Sequence, residues 1–251
     1  MSMTSTEIVN WEEKLKNESK ELAKTERPQT GKISLRGGIM TLHDREIKDN
    51  TLLCIVADYI HENMYFKDAY IPDVVKAPDC YSYSINGENM VPHPDIKEPQ
   101  NPTCTGCWAD QFKSAGNGRK GKACGVGRRK LAVLPFYDNV EDFKKSEMAI
   151  ISLPYMSVQN WSNHVNLLAS TPTIQRPPYG VVTKISVKPD PKSQFRVHFE
   201  FVTNLSDDFL HAVSEKIGVA SNILLTPYDL TPGAYDKPAP EPEVAGKKKK
   251  F

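Results

Sequence analysis

Residues 31–66, GKISLRGGIMTLHDREIKDNTLLCIVADYIHENMYF, decide the fold class. Ile33, Leu35 and residues 39–42 read as a strand, interrupted at Gly37-Gly38 by a bulge or bend signal. Residues 51–58 (TLLCIVAD) read as a buried strand. It continues through 59–66, where Tyr65 and Phe66 are aromatic β-formers. Residues 43–50 between the two strands read as a hairpin loop. Two consecutive strands with a glycine kink in the first are how small Greek-key barrels begin.

Farther along, strand signals return at 130–136 (KLAVLPF) and 148–153 (MAIISL). Residues 158–168 read as a helix with Val158, Trp161, Val165 and Leu168 on one face. Residues 180–187 alternate. Phe195, Val197, Phe199 and Phe201 alternate with Arg196, His198 and Glu200. The link 188–193 (KPDPKS) makes these two strands a hairpin. Ser206, Asp207 and Asp208 open a final helix, apolar at Phe209, Leu210, Val213 and Ile217 and stopping near Gly218. Upstream, Thr4 and Glu7 have capping-box spacing. Ile8, Trp11, Leu15 and Leu22 recur at helical intervals before Pro28.

The expected organisation is an N-terminal helix over 1–28 and a core domain over 29–230. The core carries an insert over about 72–128, and a disordered tail covers 231–251. The succession of strands, insert, strands, helix, hairpin and helix points to a mainly β or α+β class. A doubly wound sheet would alternate strand and helix.

The chain has 251 residues with 32 Lys+Arg against 31 Asp+Glu, a net charge of +1. That balance excludes a uniformly basic histone-like protein and an acidic disordered chain. No apolar run of about 18 residues exists, so no membrane span is expected. The opening MSMTSTEIVNWEEKLKNE lacks a basic n-region and an apolar h-region. The expected location is a reducing cytoplasm, the host cytoplasm if the chain is viral. There, five cysteines read as thiols or metal ligands rather than as disulfides.

Four of the five lie in the insert, which is rich in Pro, Asn, Gly and charge and too long for a structureless loop. Cys104-Thr-Gly-Cys107 places two thiolates on one tight turn. Cys80 and Cys124 flank it. Four thiolates satisfy tetrahedral, structural Zn²⁺, and binding would supply folding energy that this polar segment cannot draw from apolar burial. An iron–sulfur cluster and plain thiols fit the same residues, and His93 is an alternative to Cys80. Cys54 reads as a core thiol.

Enzymatic signatures are missing or broken. A zinc deaminase needs H-x-E ahead of P-C-x-x-C, whereas His198-Phe199-Glu200 follows the knuckle and Pro102 is one residue too far from Cys104. Residues 116–123 approach a Walker A loop, but Ala123 stands where Ser or Thr should hold Mg²⁺. Asp58, His61 and Glu62 read as the solvent side of a strand end. The expectation is a protein that is not an enzyme.

The insert is locally basic. Lys113, Arg119, Lys120, Lys122, Arg128, Arg129 and Lys130 face a single acid, Asp110, between Trp108 and Lys130. Trp108 and Phe112 are interleaved with them, and Tyr59, Tyr65, Phe66, Tyr70, Tyr81 and Tyr83 lie upstream. Basic groups track phosphates and aromatic faces stack on unpaired bases, which together make a single-strand groove. The same residues also read as padding and rim of a metal module.

The KISLRGG strand, the PDC stretch, the N-P-x-C-x-x-C knuckle, the G-x-G-x-x-G-K-x-C loop and the following Arg-Arg, taken in order, carry a family likeness. This layout resembles phage-encoded single-stranded-DNA-binding proteins of the helix-destabilising type, with an OB-fold barrel and a zinc insert. The likeness spans residues 32–210 in layout and is specific only in the cysteine and glycine-lysine segment. It implies an OB-like β-barrel that binds single-stranded DNA in replication and recombination. Cys80, Cys104, Cys107 and Cys124 would be the zinc ligands. Lys113, Arg119, Lys120, Lys122, Arg128, Arg129 and Lys130 would contact phosphates. Tyr65, Phe66, Trp108 and Phe112 would stack on bases. Replication or recombination proteins would be partners, without a membrane. Such proteins often end in an acidic tail with a terminal aromatic. Here Lys247, Lys248, Lys249 and Lys250 precede Phe251, so the likeness does not extend to the tail. The alternative expectation is a zinc-ribbon interaction factor docking on a polymerase.

Overall fold

The computed structural model describes residue 15 and residues 31–68, 76–116 and 121–231. The expected N-terminal helix, apart from Leu15, and the tail beyond Thr231 lie outside the described residues. The protein is mainly β. One nine-stranded sheet contains β1 (Gly31–Ser34), β2 (Thr41–Leu42), β3 (Arg45–Glu46), β4 (Thr51–Tyr65) and β5 (Cys80–Ser84). It continues with β6 (Cys124–Pro135), β7 (Ala149–Leu153), β8 (Val181–Asp190) and β9 (Gln194–Asn204). The strand order is β3-β2-β1-β7-β6-β4-β8-β9. β4 carries β6 along one edge. Its other edge is shared by β8 at residues 51–54 and β5 at residues 61–65. β1 and β7 pair in parallel, and the remaining pairs are antiparallel. The helices are α1 (Val140–Lys144), α2 (Tyr155–Ser170) and α3 (Asp207–Leu224). No helix among the described residues is long and apolar enough to cross a membrane.

The sheet curls into a half-barrel. Ile33 of β1, with Leu35 and Met40 from the link between β1 and β2, shares one apolar cluster with Val187 and Val197 from the last two strands. Those strands stand far apart in the strand order, so only a curled sheet brings them together. Gly38, at φ 78°, lies against Phe195 of β9; a Cβ there would stand 3.4 Å from the Phe195 Cβ. Helix α2 covers the outer edge of β9. The Val197 N–H donates to Ser157 Oγ at 2.9 Å, and Asn160 Nδ2 donates to the Val197 carbonyl at 2.8 Å. Helix side chains thus occupy an edge that would otherwise be open to another strand. Trp161 of α2 packs edge-on to Tyr59 and Phe199 inside the curl.

On the other face, α3 lays Ala212, Val213, Ala220 and Leu224 over Ile55, Ile60 and Leu134. Hence β4 is covered on both sides, with Cys54 and Val56 in the inner cluster and Ile55 and Ala57 in the outer one. That double cover explains why its sequence is continuously apolar rather than alternating. Cys54 is fully buried, as expected of a core thiol, and burial pushes its pKa up.

Three features differ from expectation. β1 does not pair with β4, because β6, β8 and β5 already occupy both β4 edges; β1 runs beside β7 instead. The segment after β1 makes its own small hairpin, β2–β3, turning at His43-Asp44 with φ 50° and 59°. Both values belong to a primed turn. Helix α3 passes Gly218 and ends at Leu224, since Ala220 and Leu224 are buried in the core. Strand β5 and helix α1 carried no strong sequence pattern. Asn139 opens α1, its Oδ1 accepting from the Glu141 and Asp142 amides.

Candidate functional site

Past the core, β4 and β6 extend as a ribbon with β5 on the β4 edge. Tyr65 pairs with Cys124 on one side and with Cys80 on the other. Directly paired residues share a face, so both cysteines flank the Tyr65 ring. The register between β4 and β6 shifts at Glu62/Met64. Gly127 absorbs the shift at φ 71°, and its N–H donates to Asn63 Oδ1 at 2.8 Å. The knuckle arrives from the loop after β5. The Cys104 N–H donates to the Met90 carbonyl at 3.0 Å and the Cys107 N–H to the Cys104 carbonyl at 3.2 Å. Gly106 takes φ 77° in that turn.

All four thiols line one cavity of about 20 Å³ together with Asn63, Tyr65, Ser82 and Asp110. That is room for one water- or ion-sized sphere. Burial pushes the Cys124 thiol up to about 12, and the neighbouring Cys104, Cys80 and Cys107 push the same way. Burial also raises Cys80, against a backbone hydrogen bond at Gln100 that lowers it. Bunched thiols resist ionising together, and a bound cation inverts that balance. Four soft sulfur donors suit Zn²⁺. Among the described residues, however, no three or more His, Cys, Asp or Glu side chains are set in metal-holding geometry. Cys104 Sγ instead donates to Ser82 Oγ at 3.3 Å. His93 does not line the cavity. It stacks on Tyr81 at 4.8 Å, and its Nδ1 accepts from the Asp95 N–H at 3.3 Å.

Beside the cavity the expected aromatics divide. Tyr65 is buried and meets Trp108 edge-on at 5.6 Å, so it props the indole. Phe66 is half-buried. Trp108 is 46% exposed and Phe112 77% exposed. Lys122 lies 5.8 Å from the centre of the Phe112 ring and pairs with Asp110 at 2.6 Å. Lys113 is exposed, at φ 71°. Arg119 and Lys120 lie outside the described residues.

The Arg-Arg-Lys run, expected to contact phosphates, is largely turned into the fold. Arg128 and Arg129 are half-buried and Lys130 is buried. Arg129 Nη1 donates to the Gly127 carbonyl at 2.7 Å and the Arg128 carbonyl at 3.2 Å. Lys130 Nζ donates to the Leu224 carbonyl at 2.8 Å, capping α3. Burial lowers the Lys130 pKa, and the nearby Glu62 opposes that. For Arg128 and Lys130 the physical reason is register: Lys130 pairs with Ile60 and Arg128 with Glu62, on the face that α3 covers, whereas Arg129 pairs with His61 on the opposite face.

Nor do Asp58, His61 and Glu62 form a solvent-exposed strand end. Asp58 Oδ2 accepts from Ser221 Oγ at 2.7 Å, and Glu62 is fully buried. His61 lies beneath Gly87, where any Cβ would collide with its ring. Burial, then Arg129, lowers the His61 pKa. Glu62 was the readable signal for this buried polar cluster: an acid followed directly by Asn63, Met64, Tyr65 and Phe66. Tyr228, its partner, gave none.

No known protein family, curated protein or solved structure matches this chain. Geometry therefore carries the functional reading.

Proposed function

We infer that this protein binds single-stranded DNA through an OB-like curled sheet with a zinc-ordered insert, and serves DNA replication or recombination. The observation that carries this reading is the pair of exposed rings, Trp108 and Phe112, beside Lys113 and Lys122 on the cysteine knuckle. Phe112 is 77% exposed and Trp108 46% exposed, so both ring faces are accessible to a ligand. Aromatic faces stack on bases of any sequence, at about 1–3 kcal/mol per base, while flanking ammonium groups neutralise phosphates. Zn²⁺ held by Cys80, Cys104, Cys107 and Cys124 would fix the knuckle that presents both rings.

Fluorescence anisotropy of a labelled ~30-mer, single-stranded and duplex, at two salt concentrations tests the reading. Tight, salt-sensitive binding that prefers the single strand supports it. Weak, equal binding to both forms overturns it and turns the exposed rings into a docking site for a protein partner.

A further inference from the structure

The segment 225–231 that follows α3 is exposed at every residue except Tyr228. Tyr228 turns into a slot on the α3 face of the β4–β5–β6 ribbon. Its ring meets Tyr81 edge-on at 5.0 Å and stands 6.3 Å from Tyr83. Lys130 Nζ lies 4.9 Å from the centre of the Tyr83 ring and 5.9 Å from that of Tyr228. At the floor, the Tyr228 hydroxyl donates to Glu62 Oε1 at 2.8 Å. Burial, then the charge of Glu62, raises the Tyr228 pKa, and Arg128 opposes this.

The slot has polar capacity that the phenol does not use. Among the described residues, Glu62 Oε2 is buried without a hydrogen-bond partner, and so is Arg128 Nε. A fully buried carboxylate with one bare oxygen is costly unless a second donor arrives. Phenol supplies one donor on a flat ring. Guanine supplies two adjacent donors, N1–H and the exocyclic amine, which match both oxygens of one carboxylate. Its O6 beside them is an acceptor for Arg128 or Lys130. Adenine, cytosine and thymine each place an acceptor next to the donor on that edge, which would oppose the second carboxylate oxygen.

We propose that the Tyr228 slot is a nucleobase subsite selective for guanine, with Tyr228 as its internal stand-in. A guanine in a bound strand displaces Tyr228 and the exposed segment 225–231, stacks on Tyr81 or Tyr83, and takes up both oxygens of Glu62. This deepens the single-strand reading above and rests on it. It adds one base-selective position to an otherwise sequence-tolerant surface.

The test compares the anisotropy of an oligo-dT strand with the same strand carrying one central dG or one deoxyinosine. All three strands are run on the wild-type chain, Tyr228→Ala and Glu62→Gln. A thermal-shift titration with free dGMP and dTMP runs alongside. The expected result is tighter binding of the dG strand, about tenfold or more once Tyr228→Ala removes the competitor, from the discrimination typical of a bidentate base contact. Deoxyinosine, lacking the exocyclic amine, should lose most of that gain, and Glu62→Gln should lose it while dT binding persists. If Glu62→Gln does not fold, the dG-to-deoxyinosine ratio on Tyr228→Ala decides alone. Equal binding of all three strands to wild type and Tyr228→Ala overturns the subsite and leaves the single-strand reading standing. If no strand binds but dGMP, and not dTMP, shifts the melt, the subsite stands and the single-strand reading falls. Failure of both overturns both.

Discussion

The two ends of β4 and β6 are one continuous ladder held by different means. At residues 53–60 and 130–135 the ladder is sandwiched between Trp161 and the inner cluster on one face and α3 on the other. At residues 61–65 and 124–129 the buried side chains are Glu62, Asn63 and Tyr65, flanked by Tyr81 and Ser82 of β5 and by the thiols. The first end is stable by apolar burial and needs nothing outside the chain. The second is ordered by hydrogen bonds such as Asn63 to Gly127, and its four thiols enclose room for one ion. The lesson is that regular strand pairing hides a change in what stabilises it. The end that lacks an apolar core is also the end that exposes Trp108 and Phe112.

The sharpest way to break this comparison is to chelate the zinc that the proposed function assigns to the four thiols. The purified chain is expected to carry about one Zn²⁺, and structural zinc supplies folding energy on the order of 10 kcal/mol in small modules. After chelation, amides over 80–84 and 104–128 should exchange with solvent rapidly while those of 131–134 and 182–187 stay protected. Unchanged exchange over 104–128, or equal loss at both ends, would show that the two ends share one source of order. Next in size is Leu134→Ala, fully buried between β4 and α3. It should cost about 2–5 kcal/mol in urea unfolding. A loss below 1 kcal/mol would mean that the apolar end is not a packed core.

A pH effect also belongs to the apolar end. His164 is buried, its Nε2 lies 3.1 Å from Thr183 Oγ1, and burial lowers its pKa from 6.5 to about 4. The unfolded chain takes up this proton near pH 6.5 and the folded chain only near 4. The contribution is therefore present above 6.5 and lost as pH falls towards 4, by up to roughly 3 kcal/mol. The urea midpoint of His164→Gln should fall less than that of wild type between pH 7 and 4.5. Parallel curves would remove His164 from the account.

At the cysteine end the effects should appear in binding rather than in stability. Trp108→Ala with Phe112→Ala should weaken single-strand binding by about 1–3 kcal/mol per stacked base and leave the melting temperature within a few degrees. A large drop in melting temperature with unchanged affinity would make these rings structural. Smallest of all, Lys122→Ala should change stability by less than about 1 kcal/mol, because its pair with Asp110 is partly exposed. Its signature is a reduction of about one in the slope of log affinity against log salt. An unchanged slope would take Lys122 off the phosphate path. Charge reversal at Arg128 and Arg129, which the sequence alone recommends, should instead disturb the fold, since both are half-buried and Arg129 ties the bulge carbonyls.

Much of the architecture was legible in local pattern. The continuous apolar run of β4, the alternation of β9, the 188–193 turn and the helical face around Trp161 are period and turn signals that need no tertiary information. So is the cysteine knuckle, because two thiols and a glycine in four residues specify their own turn. What failed failed for non-local reasons. Charge on the Arg-Arg-Lys run suggested exposure, but register with Ile60 and Glu62 turns Lys130 and Arg128 towards α3, and Arg129, on the other face, is held by the bulge carbonyls. Gly218 suggested a helix end, yet burial of Ala220 and Leu224 outweighs one glycine.

The chain by itself determined its longer strands, the faces of its two long described helices, the short knuckle and the local basic excess, because each is set by neighbours a few residues apart. Tertiary structure alone decided that β1 lies beside β7, that Cys80 and Cys124 meet across Tyr65, that Trp108 faces outward while Lys130 faces in, and that Tyr228 closes on Glu62. Those outcomes depend on which edges of β4 are already taken and on how the sheet curls. Both are properties of the whole fold, written in no single stretch of residues.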